Sequence, residues 1–545
     1  MNNLRTCVEI RLPRGEVRRW QAHVAATLAA DPTLSLRIAL VDPGPPPPAG
    51  LDTLFAFERV FVGRHAETAT DRVDPPALAS ASDPADLVID LAGEGPIGPV
   101  PVLRPSCLGL RPLEGALAAV LDDRVPDLAL DLVRDGGSRR LGLWPAAIED
   151  RGNALRATSM VLGRLAHMIL VAVAALRRDG LDAATLSCAL DCDPAPARDV
   201  GIGGVGRLAW TALAGRIARK LTKLAGRRPD WRTVWRFRAP GTDPLDPSSD
   251  PTPFRLLADD GARFFADPFP WDGGDRTFLF VEEFPYATGK GILSLAEIDA
   301  TGRVTPPRPI LEQDCHLSYP QIFAHGGEMW MVPETSGRRT VELWRAARFP
   351  DDWRLHAVLI ADVDLADATL VETAGRWWMF GTARCPWGSS WDALHLYSAP
   401  ALEGPWTAVS PDPLVTDVRA ARPAGRLVHD GRNWLRPVQD SSRGYGCGLA
   451  LTRVDRLDES GFAERLDTRF TTPAPLSGLH TWNRAQGAAG LFETLDVVVE
   501  ASAYGAARVL DLAPRRAGGA ASRPAGLFEN MIYDSLKPFR SSGSR

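Results

Sequence analysis

Carboxylate residues recur at corresponding places in the second half of the chain, and their type and spacing suggest chemistry. Asp267, Glu334, Asp367 and Asp440 each stand at the start or the end of a short apolar segment. Two carboxyl groups can cleave a glycosidic bond when one protonates the leaving oxygen and the other attacks or activates water. Clustering raises the pKa of one member and keeps it protonated near neutral pH. These four residues are the candidate catalytic set.

Residues that could bind a sugar accompany these carboxylates. Hydrogen-bonding side chains can hold hydroxyl groups, and tryptophan offers a flat apolar face on which sugar rings stack. The candidate substrate-binding residues are Glu283, His316, Tyr319, Arg422, Arg436, His480 and Trp482. Structural roles stay open for several candidates: Glu334 and Asp440 could form ion pairs with arginines of neighbouring strands, and Asp367 lies in an acidic stretch typical of a solvated loop.

The carboxylates belong to a pattern that repeats five times. Each copy has a short start, a polar turn, a run of bulky apolar residues and then a carboxylate or hydroxyl residue. The starts are Asp267, Tyr319, Asp367, Arg422 and His480. A period of about 50 residues is typical of one four-stranded propeller blade, whereas a β-sandwich would not repeat a hairpin at constant interval. The sequence therefore predicts a five-bladed β-propeller, which Trp231–Arg238 closes by joining the last blade.

The propeller geometry predicts where the candidates meet. The first strand of a blade begins at one mouth of the channel, and the antiparallel second strand ends beside that start. Strand starts at Asp267 and Asp367 would therefore share a rim with strand ends at Glu283, Glu334 and Asp440. A single histidine, His480, is not a metal ligand set. We expect no metal or cofactor, with a cation on the channel axis as the alternative.

The first part of the chain predicts an α/β domain with a mostly parallel sheet, because strand and helix patterns alternate. The predicted strands are Val8–Leu12, Leu36–Val41, Arg59–Val62, Leu87–Leu91, Leu128–Val133 and Leu141–Leu143, and the predicted helices are Glu16–Ala29 and Leu113–Leu121. Arg164 and His167 interrupt the apolar stretch Met160–Leu176, which is too short for a bilayer crossing. That stretch predicts a packed helix.

Composition and domain boundaries complete the prediction. The chain has 545 residues and a formal net charge of −5, which predicts several domains and gives no reason to expect a nucleic acid partner. Seven cysteines without a CxxC pair, and no apolar leader, predict a cytoplasmic protein. The predicted domains are residues 1–180 (α/β domain), 181–230 (helical, basic linker), 231–512 (propeller) and 513–545 (disordered tail). The basic segment 207–228 favours a linker helix, with contact to an anionic membrane surface as the alternative.

Two resemblances concern the propeller. Asp267, Asp367 and the stretch 402–406 resemble the five-bladed arabinanases, invertases and levansucrases, in which two Asp residues act with a Glu that opens the fourth blade. Here Arg422 opens that blade, so the resemblance implies an acid elsewhere, with Glu334 first and Asp440 second.

The runs 316–320, 333–335, 422–425 and 436–440 resemble the propeller module that precedes the transferase domain of plant glucosamine inositolphosphorylceramide transferases. The resemblance covers roughly Trp231–Val509, and the transferase domain itself is expected to be absent.

Residues 5–180 resemble a degenerate formyltransferase domain in the helix after Leu113, the strand that ends at Val133 and the turn at Asp135. That family uses an Asn and a His, which the stretch Pro105–Pro112 lacks, so a structural or docking role is favoured.

The leading interpretation is a glycan-active enzyme that hydrolyses or transfers a glycosyl unit by carboxylate acid/base chemistry in the propeller funnel. Two alternatives stay open, a propeller that binds a glycan or glycolipid without turnover and a formyl or acyl transferase fusion. The expected partner is a carbohydrate or a lipid-linked glycan.

Overall fold

The computed structural model of the chain describes residues 6–62, 66–77, 84–93, 95–135, 137–182, 186, 203–210, 213–214, 231–459, 461–471, 476–499, 509–510 and 515–516. The chain forms two compact units. The first comprises residues 1–218 with 384–389, and the second comprises residues 219–383 with 390–545. The linker and the tail predicted from the sequence lie largely outside the described residues and stay predictions.

The first unit is an α/β domain on one six-stranded sheet. Its elements are β1 (Thr6–Pro13), α1 (Arg19–Ala29), β2 (Leu34–Val41), α2 (Leu51–Val62), β3 (Leu87–Asp90), β4 (Val102–Cys107), α3 (Pro112–Leu121), β5 (Asp127–Arg134), β6 (Gly137–Pro145) and α4 (Ala154–Asp179). The strand order is β2-β1-β3-β4-β5-β6. Pairing is parallel from β2 to β4 and antiparallel from β4 to β6. The predicted α/β class is confirmed.

One predicted strand of this unit is wrong. Arg59–Val62 forms the last turn of helix α2. Leu51, Leu54 and Phe55 are buried along that helix, and their spacing of three and four residues places them on one helical face. Leu51, Leu54 and Phe55 favour a helix because they pack on one face, and Arg59–Val62 continue that helix as its last turn.

Helix α4 corresponds to the apolar stretch predicted as a packed helix. By length and composition it could cross a membrane, and it is the one such helix among the described residues. Within the structure, 83% of its most apolar window is buried. Burial of this extent is typical of a helix in a protein core, where neighbouring elements rather than lipid cover the apolar side chains.

The second unit is all β among its described residues, apart from two short 3-10 turns. Its strands are β7 (Trp231–Phe237), β8 (Phe254–Leu256), β9 (Arg263–Asp272), β10 (Arg276–Pro285), β11 (Ile292–Asp299), β12 (Arg308–Leu311), β13 (Ser318–His325), β14 (Glu328–Thr335), β15 (Thr340–Arg348), β16 (Asp352–Ala361), β17 (Leu365–Thr373), β18 (Arg376–Ala383), β19 (Ala393–Ala399), β20 (Thr407–Ala408), β21 (Val415–Thr416), β22 (Val428–His429), β23 (Trp434–Asp440), β24 (Gly448–Asp458), β25 (Gly461–Thr471), β26 (Leu476–Gly487), β27 (Gly490–Val499), β28 (Val509–Leu510) and β29 (Arg515–Arg516).

These strands form antiparallel groups of four. Strands β9 to β12, β13 to β16, β17 to β20 and β22 to β25 each pair in chain order. A further group joins β26 and β27 to β7 and β8, because β7 pairs antiparallel with β27 and with β8. The start of the unit thus pairs with its last long hairpin, as predicted for Trp231–Arg238.

Apolar side chains from successive groups pack against one another. Phe280 of β10 belongs to one buried cluster with Ile322 of β13, and Val332 of β14 belongs to another with Leu370 of β17. Fully burying a side chain of this size contributes roughly 1.5–3 kcal/mol. The four-stranded groups therefore stabilise one another by packing their apolar faces together. This packing brings the first strands of the groups close to one another.

Candidate active site

The first strands carry an irregularity at the same place, and it positions the candidate side chains. Two residues drop out of the pairing in each of four strands. The first of the two is Asp267 in β9, Tyr319 in β13, Asp367 in β17 and His480 in β26. Asp267, Tyr319 and Asp367 have φ angles of 48°, 48° and 53°, a left-handed conformation that costs a non-glycine residue roughly 1–2 kcal/mol. Such bulges redirect side chains and are frequent beside active sites.

Asp267 and His480 form the centre of a buried network. The His480 Nε2 atom lies 3.0 Å from Asp267 Oδ1, and Nδ1 lies 3.0 Å from Asp496 Oδ1. The hydroxyl of Thr481 donates to Asp267 Oδ1 at 2.9 Å, and the N–H of Tyr319 donates to Oδ2 at 3.2 Å. Both oxygens of Asp267 therefore accept hydrogen bonds, which favours the ionised carboxylate.

The charges of this network support one another. Burial alone would raise the pKa of Asp267, but His480 and Thr481 lower it overall. Burial opposes protonation of His480, yet Asp496 and Asp267 raise its pKa to about 10. His480 is thus an imidazolium between two carboxylates. The Nδ1 atom lies out of line for a hydrogen bond to Asp496, so charge accounts for that contact.

The same three residues place ligand atoms within 4.8 Å of one another, but they fit a metal poorly. A histidine that is protonated on both nitrogens has no lone pair to coordinate a cation. Asp496 also accepts the backbone N–H groups of Asp267 and Thr481, at 3.0 and 2.7 Å. The oxygen and nitrogen atoms that could bind a cation therefore already contact other groups of the protein, and no step of the proposed chemistry passes through a metal.

A second pair of acidic residues surrounds Arg422. The Arg422 Nε atom donates to Asp367 Oδ2 at 2.6 Å, and Nη2 lies 3.8 Å from Glu334 Oε2. The amide of Gln439 also donates to Asp367 Oδ2, at 3.0 Å. The hydroxyl of Ser336 donates to Glu334 Oε1 at 2.6 Å. Arg422 therefore joins two of the candidate catalytic carboxylates.

Asp367 differs from Asp267 in protonation. Burial raises the pKa of Asp367 to about 8, against the attraction of Arg422, and the negative charges of Glu334 and Asp267 raise it further. The pKa of Asp267 is thus lowered and that of Asp367 is raised, so the two carboxyl groups differ in their tendency to hold a proton. Carboxyl groups whose pKa values are pushed apart in this way are typical of acid/base sites.

Glu282 and His316 form the more exposed edge of the group. The Glu282 Oε1 atom lies 3.1 Å from His316 Nε2, and their side chains are 9% and 24% exposed. Burial and the charge of Asp267 raise the pKa of Glu282, against the two histidines nearby. The pKa of His316 is also raised, because Glu282 outweighs burial. The N–H of Gly291 nevertheless donates to His316 Nδ1 at 2.9 Å, which holds the proton of the neutral ring on Nε2.

Aromatic rings line the group from one side. The ring of Trp231 lies 3.9 Å from that of His480, and Tyr445 lies 5.1 Å from His480. The guanidinium of Arg422 stacks on Tyr445 at 5.0 Å, and Trp391 contacts the same tyrosine at 5.4 Å. Trp231 and Trp391 are buried, so of these three rings Tyr445, which is partly exposed, is the one that offers aromatic surface to a sugar ring.

Five predicted site residues contact neighbouring side chains or backbone groups in the structure, and their predicted roles stay predictions. The Tyr319 ring is buried, and its hydroxyl accepts the N–H of Gly425 at 2.7 Å and contacts Thr369 at 2.9 Å. The remaining four have the following partners: Glu283 contacts Arg263 and Ser294, Arg436 pairs with Glu464, Asp440 accepts from the N–H of Ser442 and lies 3.5 Å from Arg469, and Trp482 donates to Glu493.

The site residues missed from the sequence have identifiable reasons. Glu282 and Glu283 are neighbours on one strand, so their side chains point to opposite faces of the sheet. The register places Glu282 on the site face, and the run of two glutamates was the only signal for it. Asp496 and Trp231 come from distant parts of the chain, so no local pattern connects them to Asp267. The predicted roles of the site residues stay predictions.

Comparison with known proteins identifies the segment that contains these residues. Residues 257–496 match the family model of Glucosamine inositolphosphorylceramide transferase 1, N-terminal. This match confirms the resemblance found in the sequence.

The enzyme of that name from Oryza sativa subsp. japonica is 31% identical over 226 residues, which cover 41% of this chain and 30% of the relative. The Arabidopsis thaliana enzyme is 29% identical over 260 residues, or 46% of this chain and 33% of the relative. The chain thus spans about a third of these relatives.

Two glycosidases are among the solved structures with detectable similarity to this chain. An exo-beta-1,3-galactanase from Clostridium thermocellum has a TM-score of 0.31 and 10% identity, and it covers 39% of this chain and 52% of its own. A glycosyl hydrolase from Bacteroides ovatus has a TM-score of 0.32 and 12% identity, and it covers 48% of this chain and 94% of its own. The resemblance of residues 5–180 to formyltransferase domains stays a prediction.

Proposed function

We propose that the second unit is a five-bladed β-propeller and a glycan-active enzyme that hydrolyses or transfers a glycosyl unit. Four antiparallel groups of four strands, and a fifth group of β7, β8, β26 and β27 that a single parallel pair joins to β9, support the blade count. The bulged positions of the first strands support a common funnel, because Asp267 contacts both Tyr319 and His480. The relatives are named for a transferase that acts on a glycolipid, so a lipid-linked glycan is among the proposed substrates.

The observation that carries the proposal is the contrast in protonation between Asp267 and its acidic neighbours. Asp267, ionised through His480, is the proposed base or nucleophile. Glu282, with a raised pKa and 9% exposure, is the proposed donor of a proton to the leaving oxygen. Asp367 and Arg422 are proposed to position Glu334 at the edge of the same group.

A second candidate function is glycan binding without turnover. The contacts of Arg422 with Asp367 and Glu334 favour it, because side chains that arginine already engages are less free to react. In that case the aromatic surface around Tyr445 would hold the sugar, and the carboxylates would accept hydrogen bonds from its hydroxyl groups.

The test is turnover of a panel of aryl furanosides, aryl pyranosides and lipid-linked sugars by wild type and variants. Glu282→Gln and Asp267→Asn are expected to lose at least about 100-fold in kcat, as removal of a proton-transfer group does. Asp272→Asn and Glu328→Gln are matched controls, because these exposed carboxylates lie on the same strands as Asp267 and Glu334. Their activity is expected to stay within about twofold.

Folding is checked by circular dichroism, and Glu334→Gln provides a further variant at the exposed edge. A wild-type activity that survives all three site substitutions would refute the assignment of chemistry to this group. No turnover by wild type, together with sugar binding that persists in Glu282→Gln, would establish the binding function in its place.

A further inference from the structure

A depression in the first unit, separate from the candidate active site, is lined by arginines. It has a volume of about 480 Å³, and Arg18, Arg19, Arg59 and Arg72 line it together with two carboxylates, Asp52 and Asp71. The four arginines outnumber the two lining carboxylates, and Glu67, which lies 3.0 Å from Arg19 at the edge, reduces the positive excess to one charge.

The depression lies between two helices of the first unit. Arg18 is the N-cap residue of helix α1, Asp52 and Arg59 lie on helix α2, and Asp71 and Arg72 belong to the segment that follows α2. The positive end of the α1 dipole lies at Arg18 and adds to the attraction for anions.

Arg18 supplies an independent sign that an anion belongs there. This residue is only 5% exposed, and its Nη1 atom donates to the carbonyl of Thr70 at 2.7 Å. Its Nη2 atom has no hydrogen-bond partner among the described residues. The nearest carboxylate, Asp52, lies 3.6 Å away, beyond hydrogen-bond length. A buried charged donor without an acceptor is unfavourable and calls for a bound group.

The carboxylates of the depression are already shared. Asp52 accepts from Arg72 at 2.7 Å while it faces Arg18. Asp71 contacts both Arg59 and Arg19. Each carboxylate thus serves two arginines and leaves part of their charge uncompensated. Arg72 is 48% exposed, so its remaining donors can reach a ligand that enters from solvent.

We propose that this depression binds a phosphate group, with Arg18 and Arg72 as its main donors. The excess of positive charge attracts a phosphate anion, and the planar guanidinium fork matches phosphate oxygens. The volume also holds an organic group attached to the phosphate. The ligand is therefore a phosphate monoester or diphosphate, either as a soluble metabolite or as the headgroup of a lipid. This proposal does not depend on the function proposed for the second unit.

The experiment measures binding of inorganic phosphate to the full chain by calorimetry, at an ionic strength held constant with chloride. Arg72→Gln and Arg18→Gln are expected to weaken phosphate binding at least about tenfold, because each removes a charged donor. Arg14→Gln is the matched control, since Arg14 lies in the same unit, is 66% exposed, donates to the Leu40 carbonyl at 3.0 Å and has a distant ion pair of 3.8 Å with Asp42. It is expected to bind phosphate like wild type.

Two further arms separate the sources of phosphate, a nucleoside diphosphate for the soluble class and vesicles with phosphatidic acid, a phosphate monoester, for the lipid class. Tighter binding of one of them than of inorganic phosphate, lost in Arg72→Gln, would support the proposal and identify the class. The proposal is overturned if wild type binds no phosphate when phosphate is added at about 20-fold the protein concentration and then raised to about 10 mM. It is also overturned if Arg72→Gln and Arg14→Gln bind phosphate equally well. Arg72→Gln keeps the test decisive if Arg18→Gln fails to fold.

Discussion

Replacement of His480 by glutamine tests the charge network that controls Asp267. The wild-type imidazolium lies 3.0 Å from a carboxylate oxygen on each side. Glutamine removes its charge and leaves Asp267 and Asp496 buried beside each other. Removing one partner of a buried ion pair costs about 3–5 kcal/mol. We therefore expect His480→Gln to lower the free energy of unfolding by about 4 kcal/mol at pH 6.

The pH dependence of this loss has a definite sign. His480 has a pKa of about 10 in the folded chain against an ordinary value of 6.5. A raised pKa gives stability that is complete below pH 6.5 and disappears as the pH rises through 10. At 1.36 kcal/mol for each pKa unit, the difference between wild type and variant should shrink by about 3 kcal/mol from pH 6 to pH 9.

Urea unfolding monitored by tryptophan fluorescence measures this difference, because Trp231 lies 3.9 Å from His480 and reports on its surroundings. His325→Gln is the control, since that imidazole is 37% exposed and pairs with Glu372 at the surface. It should change the free energy of unfolding by less than about 1 kcal/mol. A wild-type advantage over His480→Gln that is the same at pH 6 and pH 9 would show that His480 is neutral and refute the reasoning.

Three further substitutions probe the buried groups, each by urea unfolding. The free energy of unfolding of Asp367→Asn, relative to that of wild type, should rise by about 2–3 kcal/mol as the pH increases from 5 to 7. The raised pKa of about 8 makes the native carboxyl hold a proton that the unfolded one releases in this range, and a constant gap would contradict it. Tyr319→Phe should cost about 2 kcal/mol by leaving the buried N–H of Gly425 unpaired; no loss would show that another acceptor replaces the hydroxyl. Arg436→Met should lower the free energy of unfolding by about 3–5 kcal/mol, because Glu464 loses its buried partner. The sugar affinity of the folded variant should equal that of wild type, and weaker binding would show that Arg436 contributes to the site.

Local regularities made the start positions of the repeat readable from the sequence. A hairpin is a short-range structure, so its turn glycines and aromatic strand recur at a fixed interval. The first residue of each copy was therefore visible as an equivalent position, and Asp267, Asp367 and His480 were found in this way. The sequence showed which type of residue stands at each start position, but not its contacts or its protonation.

Long-range contacts made other parts of the site unreadable. Asp496 reaches His480 and Asp267 through a strand near the end of the second unit, and Tyr445 comes from a turn after β23. Nothing near either residue distinguishes it from an ordinary surface position. Glu282 was missed in favour of Glu283 because a bulge in β9 shifts the pairing by one residue between Phe280 and Glu282, and a shift of one residue reverses the two faces of a strand.

The sequence by itself determined the repeated hairpins, the α/β character of the first unit and the positions at which chemistry could occur, because all three follow from periodicity and turn residues. The tertiary structure alone decided the protonation of those positions. Asp267 and Asp367 occupy equivalent places in the repeat, yet His480 lowers the pKa of the first while burial beside Glu334 raises the pKa of the second. Burial and charge at one point in space are sums over residues hundreds of positions apart, so only the folded chain defines them.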